Sequence, residues 1–191
     1  MKGIMFVEEG QAALIDEEMP ECTEDTMLLR TLYSGLSNGT ERNFLVGGNY
    51  GAGRPYPKRI AYQQVSEVVA CGDKITRFKP GDVVFVGKSL GHVEYRVAGE
   101  SDLVTKLPDG FDLEAGALLG VAAVSYHDAK RARTTDGDNA IVFGDGPIGQ
   151  FAAQAARALG ATVTMVGHHD DRLAIARDLG ADYVINSSDN S

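Results

Sequence analysis

The sequence predicts an α/β chain in two parts: a body of short antiparallel strands forming a barrel or sandwich, then the first half of a parallel, doubly wound sheet. Three observations carry this. Before residue 108, β-branched or alternating runs recur between Gly, Pro and Asp clusters such as Lys79-Pro80-Gly81-Asp82, the pattern of many short strands. In Asn139–Ala161 an apolar run, Ala140-Ile141-Val142-Phe143, enters Gly144-Asp145-Gly146-Pro147-Ile148-Gly149 and then a helix. Strand, helix, strand, helix and strand then follow with short links, which implies parallel strands and right-handed crossovers.

Taken in order, the N-terminal strands are Gly3–Val7, Ala12–Ile15, Met27–Tyr33, Val65–Cys71, Val83–Val86, Val93–Val97 and Val104–Leu107. Between Asn38 and Lys58 lies a Gly-, Asn- and Pro-rich loop of the length that usually serves function or moves. Asp112–Arg133 is helical in pattern, capped by Asp109 or Asp112; its small-residue section Gly120–Ser125 packs closely on a neighbour or approaches a cofactor. Gly144 allows a tight turn, Gly146 lets backbone approach a pyrophosphate, and Gly149 lets the helix pack close to the strand. Pro147 suits the first helical turn, where open N–H groups suit a diphosphate. Without a ligand, the same residues make a tight strand–helix turn. Ile148, Phe151, Ala152, Ala155, Ala156 and Leu159 share one helical face. Thr162–Val166 is the second strand, Asp170–Leu179 a helix capped by Asp170 or Asp171, and Tyr183–Asn186 the third strand, with Gly160 and Gly180 as C-caps. This is one mononucleotide-binding half of a Rossmann sheet, followed by the polar tail Ser187–Ser191. The domains expected are 1–110, a helical connector over 111–136, and half of a dinucleotide-binding domain over 137–191, the remainder missing.

The 191 residues, 43% hydrophobic and 24% charged, are ordinary for a globular chain of one large or two small domains. No apolar run approaches the roughly 20 residues that span a bilayer, and MKGIMFVEEG turns acidic too early for a secretory signal. A net charge of −9 argues against nucleic acid or an anionic membrane as partner. A small-molecule substrate and a cytoplasmic location remain. Cys22 and Cys71 are the only cysteines and read as two inert thiols.

With the strand-rich region, the helix, GDGPIG and the run DRLAIARDLGADYVIN in view, the whole chain resembles the medium-chain dehydrogenase/reductase superfamily. GDKITRFKPGDVVF and Leu118–Ala129 carry the resemblance as well. It implies a chaperonin-10-like β-barrel catalytic domain, a Rossmann domain truncated here, and an active site in the cleft between the two. It also implies a chain that continues through three more strands and a full-length homodimer. Ser34–Arg42, SGLSNGTER, resembles the S-G-x-S-x-G-T-E-R signature of a subgroup that includes relatives of an enzyme oxidising bacteriochlorophyll precursors. It carries no substrate across.

In zinc-dependent members a cysteine, a His-Glu pair and a further ligand hold the metal. The first cysteine position is Ser37 here, Gly-His-Glu falls on Ala61-Tyr62-Gln63, and the third ligand position falls on Val121. Catalytic zinc takes about three thiolate, imidazole or carboxylate ligands, which a hydroxyl, a phenol and an isopropyl group do not supply. The four-cysteine structural loop is absent, and His92, His127 and His168-His169 lack a metal spacing. The expectation is a zinc-free branch.

Hydride transfer to a carbonyl still needs a proton and stabilisation of the oxygen. Tyr62 is the expected donor, supported by Ser37, with Thr40, Glu41 and Arg42 relaying protons or positioning substrate, or Glu41 and Arg42 forming a structural ion pair. Tyr62 filling the metal void is the alternative. Ser125 aligns with the family's threonine near the nicotinamide. NAD-preferring sheets place a carboxylate at the end of the second strand; that position is Gly167, with His168, His169 and Arg172 as donors for a 2′-phosphate. NADPH is therefore expected over NADH. The functions left open are an NADP-linked alcohol/carbonyl oxidoreductase, a zinc-independent quinone or enone reductase, and a catalytically degraded nucleotide-binding relative.

Overall fold

The computed structural model describes residues 1–88 and 91–190; Ser191, the end of the expected tail, lies outside them. The chain divides into two compact units, Met1–Leu119 and the residues from Gly120 onward.

In the first unit, β1 (Lys2–Glu8) and β2 (Gln11–Asp16) form an antiparallel hairpin. A five-stranded antiparallel sheet runs β6-β3-β4-β5-β7, built from β3 (Thr26–Ser34), β4 (Gln64–Cys71), β5 (Val83–Val86), β6 (Tyr95–Gly99) and β7 (Val104–Lys106). Strand alternation sets its two faces. Met27, Leu29, Val68, Val84 and Val86 are buried in one core, while Arg30 and Glu67, paired across β3 and β4, point outward as an ion pair. Helix α1 (Asn38–Leu45) buries Glu41 and Phe44, and Phe44 packs with Phe6 and Ile60 in a second cluster.

Two elements depart from the sequence expectation. The strand expected over Val93–Val97 begins at Tyr95, because Val93 is drawn into an isolated bridge with Gly3 of β1. The helix expected over Asp112–Arg133 is broken into α2 (Leu113–Gly116) and α3 (Leu119–Arg131). Asp112 caps α2 through the N–H groups of Glu114 and Ala115, and the turn then tightens, with Ala117 and Leu118 donating to carbonyls three residues back.

The second unit carries a parallel sheet in the order β10-β9-β8, from β8 (Asn139–Phe143), β9 (Thr162–Gly167) and β10 (Tyr183–Asn186). Helices α4 (Pro147–Ala158) and α5 (Asp170–Asp178) pack on it through Ala153, Ala156, Leu173 and Ala176, against Val163 and Met165. The expected apolar face of α4 is therefore rotated. Gly149 and Ala153 turn toward the sheet because small residues permit the close approach, and Ile148 is left 48% exposed. Gly160 and Gly180, at φ +95° and +100°, end the helices as expected. On the sheet's other face, Ile141 (61%), Phe143 (79%) and Tyr183 (63%) stand exposed. Ser187–Asn190 form a 3-10 turn. Among the described residues no helix is long and apolar enough to cross a membrane.

Candidate functional site

In the second unit the glycine turn joins β8 to α4. Gly144 has φ +106°, and a β-carbon on Gly149 would lie 1.8 Å from the Gly144 carbonyl oxygen, so the helix closes on the strand only with glycine there. Gly146 differs: it is extended, at φ −78° and ψ 178°, and a β-carbon there would meet nothing within 4 Å. Pro147 starts α4, no side chain caps it, and Gly144, Gly146, Pro147, Ile148 and Gly149 line an open hollow of about 400 Å³. Ser125 of α3 is fully buried; its hydroxyl donates to the Val121 and Ile148 carbonyls, both at 3.0 Å, tying α3 to the first turn of α4.

At the end of β9 the structure corrects a premise of the sequence reading. Gly167 carries no carboxylate, but one is supplied from the glycine turn. Asp145, 4% exposed, accepts the backbone N–H groups of His168 and His169 at 2.8 Å each and pairs with the His169 ring at 3.0 Å. Burial opposes its charge, yet those donors outweigh it and hold the carboxyl well below the usual carboxylate range. A β-carbon on Gly167 would lie 2.4 Å from Asp145 Oδ2. Glycine is needed there by Asp145, and Gly167→Asp is a packing lesion before it is a change of cofactor preference. Asp145 also explains why α5 starts with His169 as N-cap, since its carboxylate neutralises that helix end in place of Asp170 or Asp171. Arg172 sits 3.6 Å from Asp145 and remains 48% exposed.

In the first unit a hydrogen-bonded chain joins three residues. Ser34 Oγ lies 2.6 Å from His92 Nδ1, and His92 Nε2 lies 2.7 Å from Glu41 Oε2. The other Glu41 oxygen accepts the Ser37 N–H at 2.8 Å, closing the start of α1. The residue before His92 is pinned from inside the sheet. Gln64 donates to the Gly91 carbonyl at 2.7 Å and Arg96 at 3.2 Å; Arg96 also donates to Gln64 Oε1 and Thr31 Oγ1. Arg96 is 3% exposed and donates to these neutral acceptors, and burial pushes its guanidinium down to about 10, still charged at neutral pH.

The structure gives the expected catalytic residues different settings. Tyr62 is half-buried against the Phe6, Phe44 and Ile60 cluster, while Ser37, at the N-cap of α1, and Thr40, in its first turn, are half-exposed. Arg42 is exposed, and the partner of Glu41 is His92. Sequence reading set His92 aside for want of metal spacing; nothing local links it to a glutamate 51 residues away. Asp145 gives no signal in the sequence because the middle position of a glycine turn carries no fixed chemistry.

Comparison with known proteins gives the family. The family model described as "Zinc-binding dehydrogenase" matches residues 147–191. The uncharacterized zinc-type alcohol dehydrogenase-like protein YdjJ of Escherichia coli is 30% identical over 94% of this chain and 60% of that protein. D-altritol 5-dehydrogenase of Agrobacterium fabrum is 31% identical over 99% of this chain and 65% of that protein. Galactitol-1-phosphate dehydrogenase from Escherichia coli, a solved structure, matches with a TM-score of 0.84 at 25% identity, over all of this chain and 62% of that one. The chain belongs to the medium-chain dehydrogenase/reductase superfamily. It spans about 60–65% of the length of the curated relatives named here.

In zinc-dependent members of this superfamily side-chain donors hold the metal, and the resemblance puts Ser37, Tyr62 and Val121 at those positions. Ser37, Tyr62 and Val121 are not ligands for zinc, and among the described residues no three His, Cys, Asp or Glu are grouped to hold a metal ion. The residues present do not fit the metal. The bare Gly144–Gly149 turn, by contrast, fits a dinucleotide pyrophosphate.

Proposed function

We propose that this chain belongs to an NADP(H)-linked oxidoreductase that moves a hydride between nicotinamide and an alcohol or carbonyl compound, without catalytic zinc. The observation that carries the reading is the open, side-chain-free space at Gly146 over the uncapped start of α4. It gives a clean test. Gly146→Ala meets no neighbour in the protein, so the unfolding midpoint should stay put while dinucleotide affinity drops tenfold or more. Unchanged affinity by fluorescence titration would sink the reading.

The bound nicotinamide supplies the hydride acceptor or donor. The chain's own residues bind, orient and handle the proton. The half-exposed hydroxyls of Ser37 and Thr40 and the phenol of Tyr62 are the donors we propose for the substrate oxygen. A small polyol or its carbonyl counterpart is the substrate class we propose, supported by the sugar-alcohol dehydrogenases among the relatives. For zinc, elemental analysis of the purified protein should find well under one equivalent, on the strength of Ser37, Tyr62 and Val121. A homodimer is the full-length assembly we propose, on the strength of the superfamily resemblance alone.

NADPH over NADH is supported by Gly167, His168 and Arg172. Asp145 stands close, but it is buried with its oxygens engaged, so it frames the loop while Arg172 and the His169 ring, 47% exposed, face outward. Because Arg172 is shared with Asp145, Arg172→Ala should weaken NADPH binding by about 1.5 kcal/mol, roughly tenfold, and leave NADH nearly unchanged. Equal weakening of both would remove the 2′-phosphate from this strand end.

A further inference from the structure

We propose that Ser34, His92 and Glu41 form the proton relay of the reaction, an inference that rests on the oxidoreductase reading above. Four features of the first unit support it. The order of partners fixes the chemistry: Glu41 as a carboxylate only accepts, so His92 Nε2 carries the proton toward it, and Nδ1 is left to accept from the Ser34 hydroxyl. The Ser34 oxygen then keeps lone pairs for a substrate hydroxyl. Burial strengthens the coupling, since the His92 and Glu41 side chains are only 12% and 5% exposed, and a carboxylate so placed stabilises an imidazolium when the proton arrives. The base is held in place, because Gln64 and the buried Arg96 both grip the Gly91 carbonyl that precedes it. Finally there is a way out. His92 lines an open surface hollow with Thr31, Lys2 and Glu94, through which water can take or return the proton.

In oxidation the alcohol O–H bond breaks, its proton passes to Ser34 Oγ, and the Ser34 proton moves to His92 Nδ1, while the hydride leaves carbon for the nicotinamide. Reduction reverses each movement. The charged groups around His92 are Glu41 from α1, Lys2 from β1 and Glu94 from the segment just before β6; Lys2 is itself paired with Asp16 of β2. Ser34 ends β3 three residues before Ser37, in the Ser34–Arg42 stretch that carries the expected donors.

The test uses the full-length enzyme with NADP(H) and a polyol–ketose pair, together with His92→Gln and Ser34→Ala. Each variant should lower kcat about 100-fold with KM within a factor of two. His92→Gln should also change the shape of the parent's pH–rate profile for oxidation. A readout independent of turnover is the downfield NMR signal of the His92 Nε2 proton held by Glu41 in the nucleotide-free protein, which Glu41→Ala should abolish. A parent that binds dinucleotide and turns over, with folded variants keeping its kcat and pH profile, overturns the relay alone. A parent that neither binds dinucleotide nor transfers hydride overturns the oxidoreductase reading, and the relay falls with it.

Discussion

A β-carbon placed on Gly35 would lie 2.0 Å from the carbonyl oxygen of Ala117, and that oxygen belongs to backbone that cannot rotate aside. The Gly35 N–H is meanwhile fixed to the Gln63 carbonyl at 2.9 Å. Gly35→Ala must therefore part the end of β3 from the end of α2, and should cost roughly 3 kcal/mol. Urea unfolding at neutral pH checks this; an unchanged midpoint would mean the contact is not closely held. Two glycines of the same sequence thus have opposite expectations, since Gly146→Ala costs binding and leaves stability alone. The role of Gly149 could be read from its place in a strand–turn–helix motif. That of Gly35 could not, because its neighbour lies far along the chain. The same holds for the site: Ser37 and Gly146 are named by local motif, whereas the Glu41–His92 pair and the Asp145 carboxylate under Gly167 exist only once distant segments meet.

Most elements were legible because period and punctuation are local. β5 runs over Val83–Val86 as the apolar run predicts, and both helix-ending glycines of the second unit fall where their φ demands. The shifted start of β6, the break before α3 and the rotated face of α4 each arise from a neighbour: Gly3, the tightened turn at Ala117 and Leu118, and the sheet under Gly149. Side chains that join elements carry a pH signature. Asp182 accepts the Val163 N–H at 2.8 Å and pairs with Arg157 at 2.6 Å, linking the approach to β10 with the start of β9 and the end of α4. The backbone N–H and Arg157 outweigh burial and hold its carboxyl below the ordinary range; Lys106 does the same for Asp82. With folded values depressed, this stability is present above the unfolded carboxyl value of about 3.9 and is lost as pH falls through the folded values. Asp182→Asn should accordingly lower the urea midpoint at pH 7, with the gap to the parent closing toward pH 2. A gap that stays constant with pH would show that the Asp182 charge contributes nothing.

Over the whole molecule two surface properties oppose each other. The chain carries a net charge of −9, while Ile141, Phe143 and Tyr183 lie open on one face of the parallel sheet. In dilute electrolyte, like-charged molecules keep apart over a Debye length of about 10 Å at 0.1 M salt, which shrinks to about 3 Å at 1 M. Sulfate also favours removal of apolar surface from water. This 191-residue chain by itself should thus behave as a charge-stabilised colloid with an adhesive spot: dispersed in low salt, clustering as ammonium sulfate approaches about 1 M. Sedimentation velocity across that range follows the change, and Phe143→Asn should raise the salt needed for it. Clustering that ignores this substitution would place the adhesive spot elsewhere on the surface. For anyone handling this chain, ionic strength becomes the variable that decides whether its molecules are met singly or together.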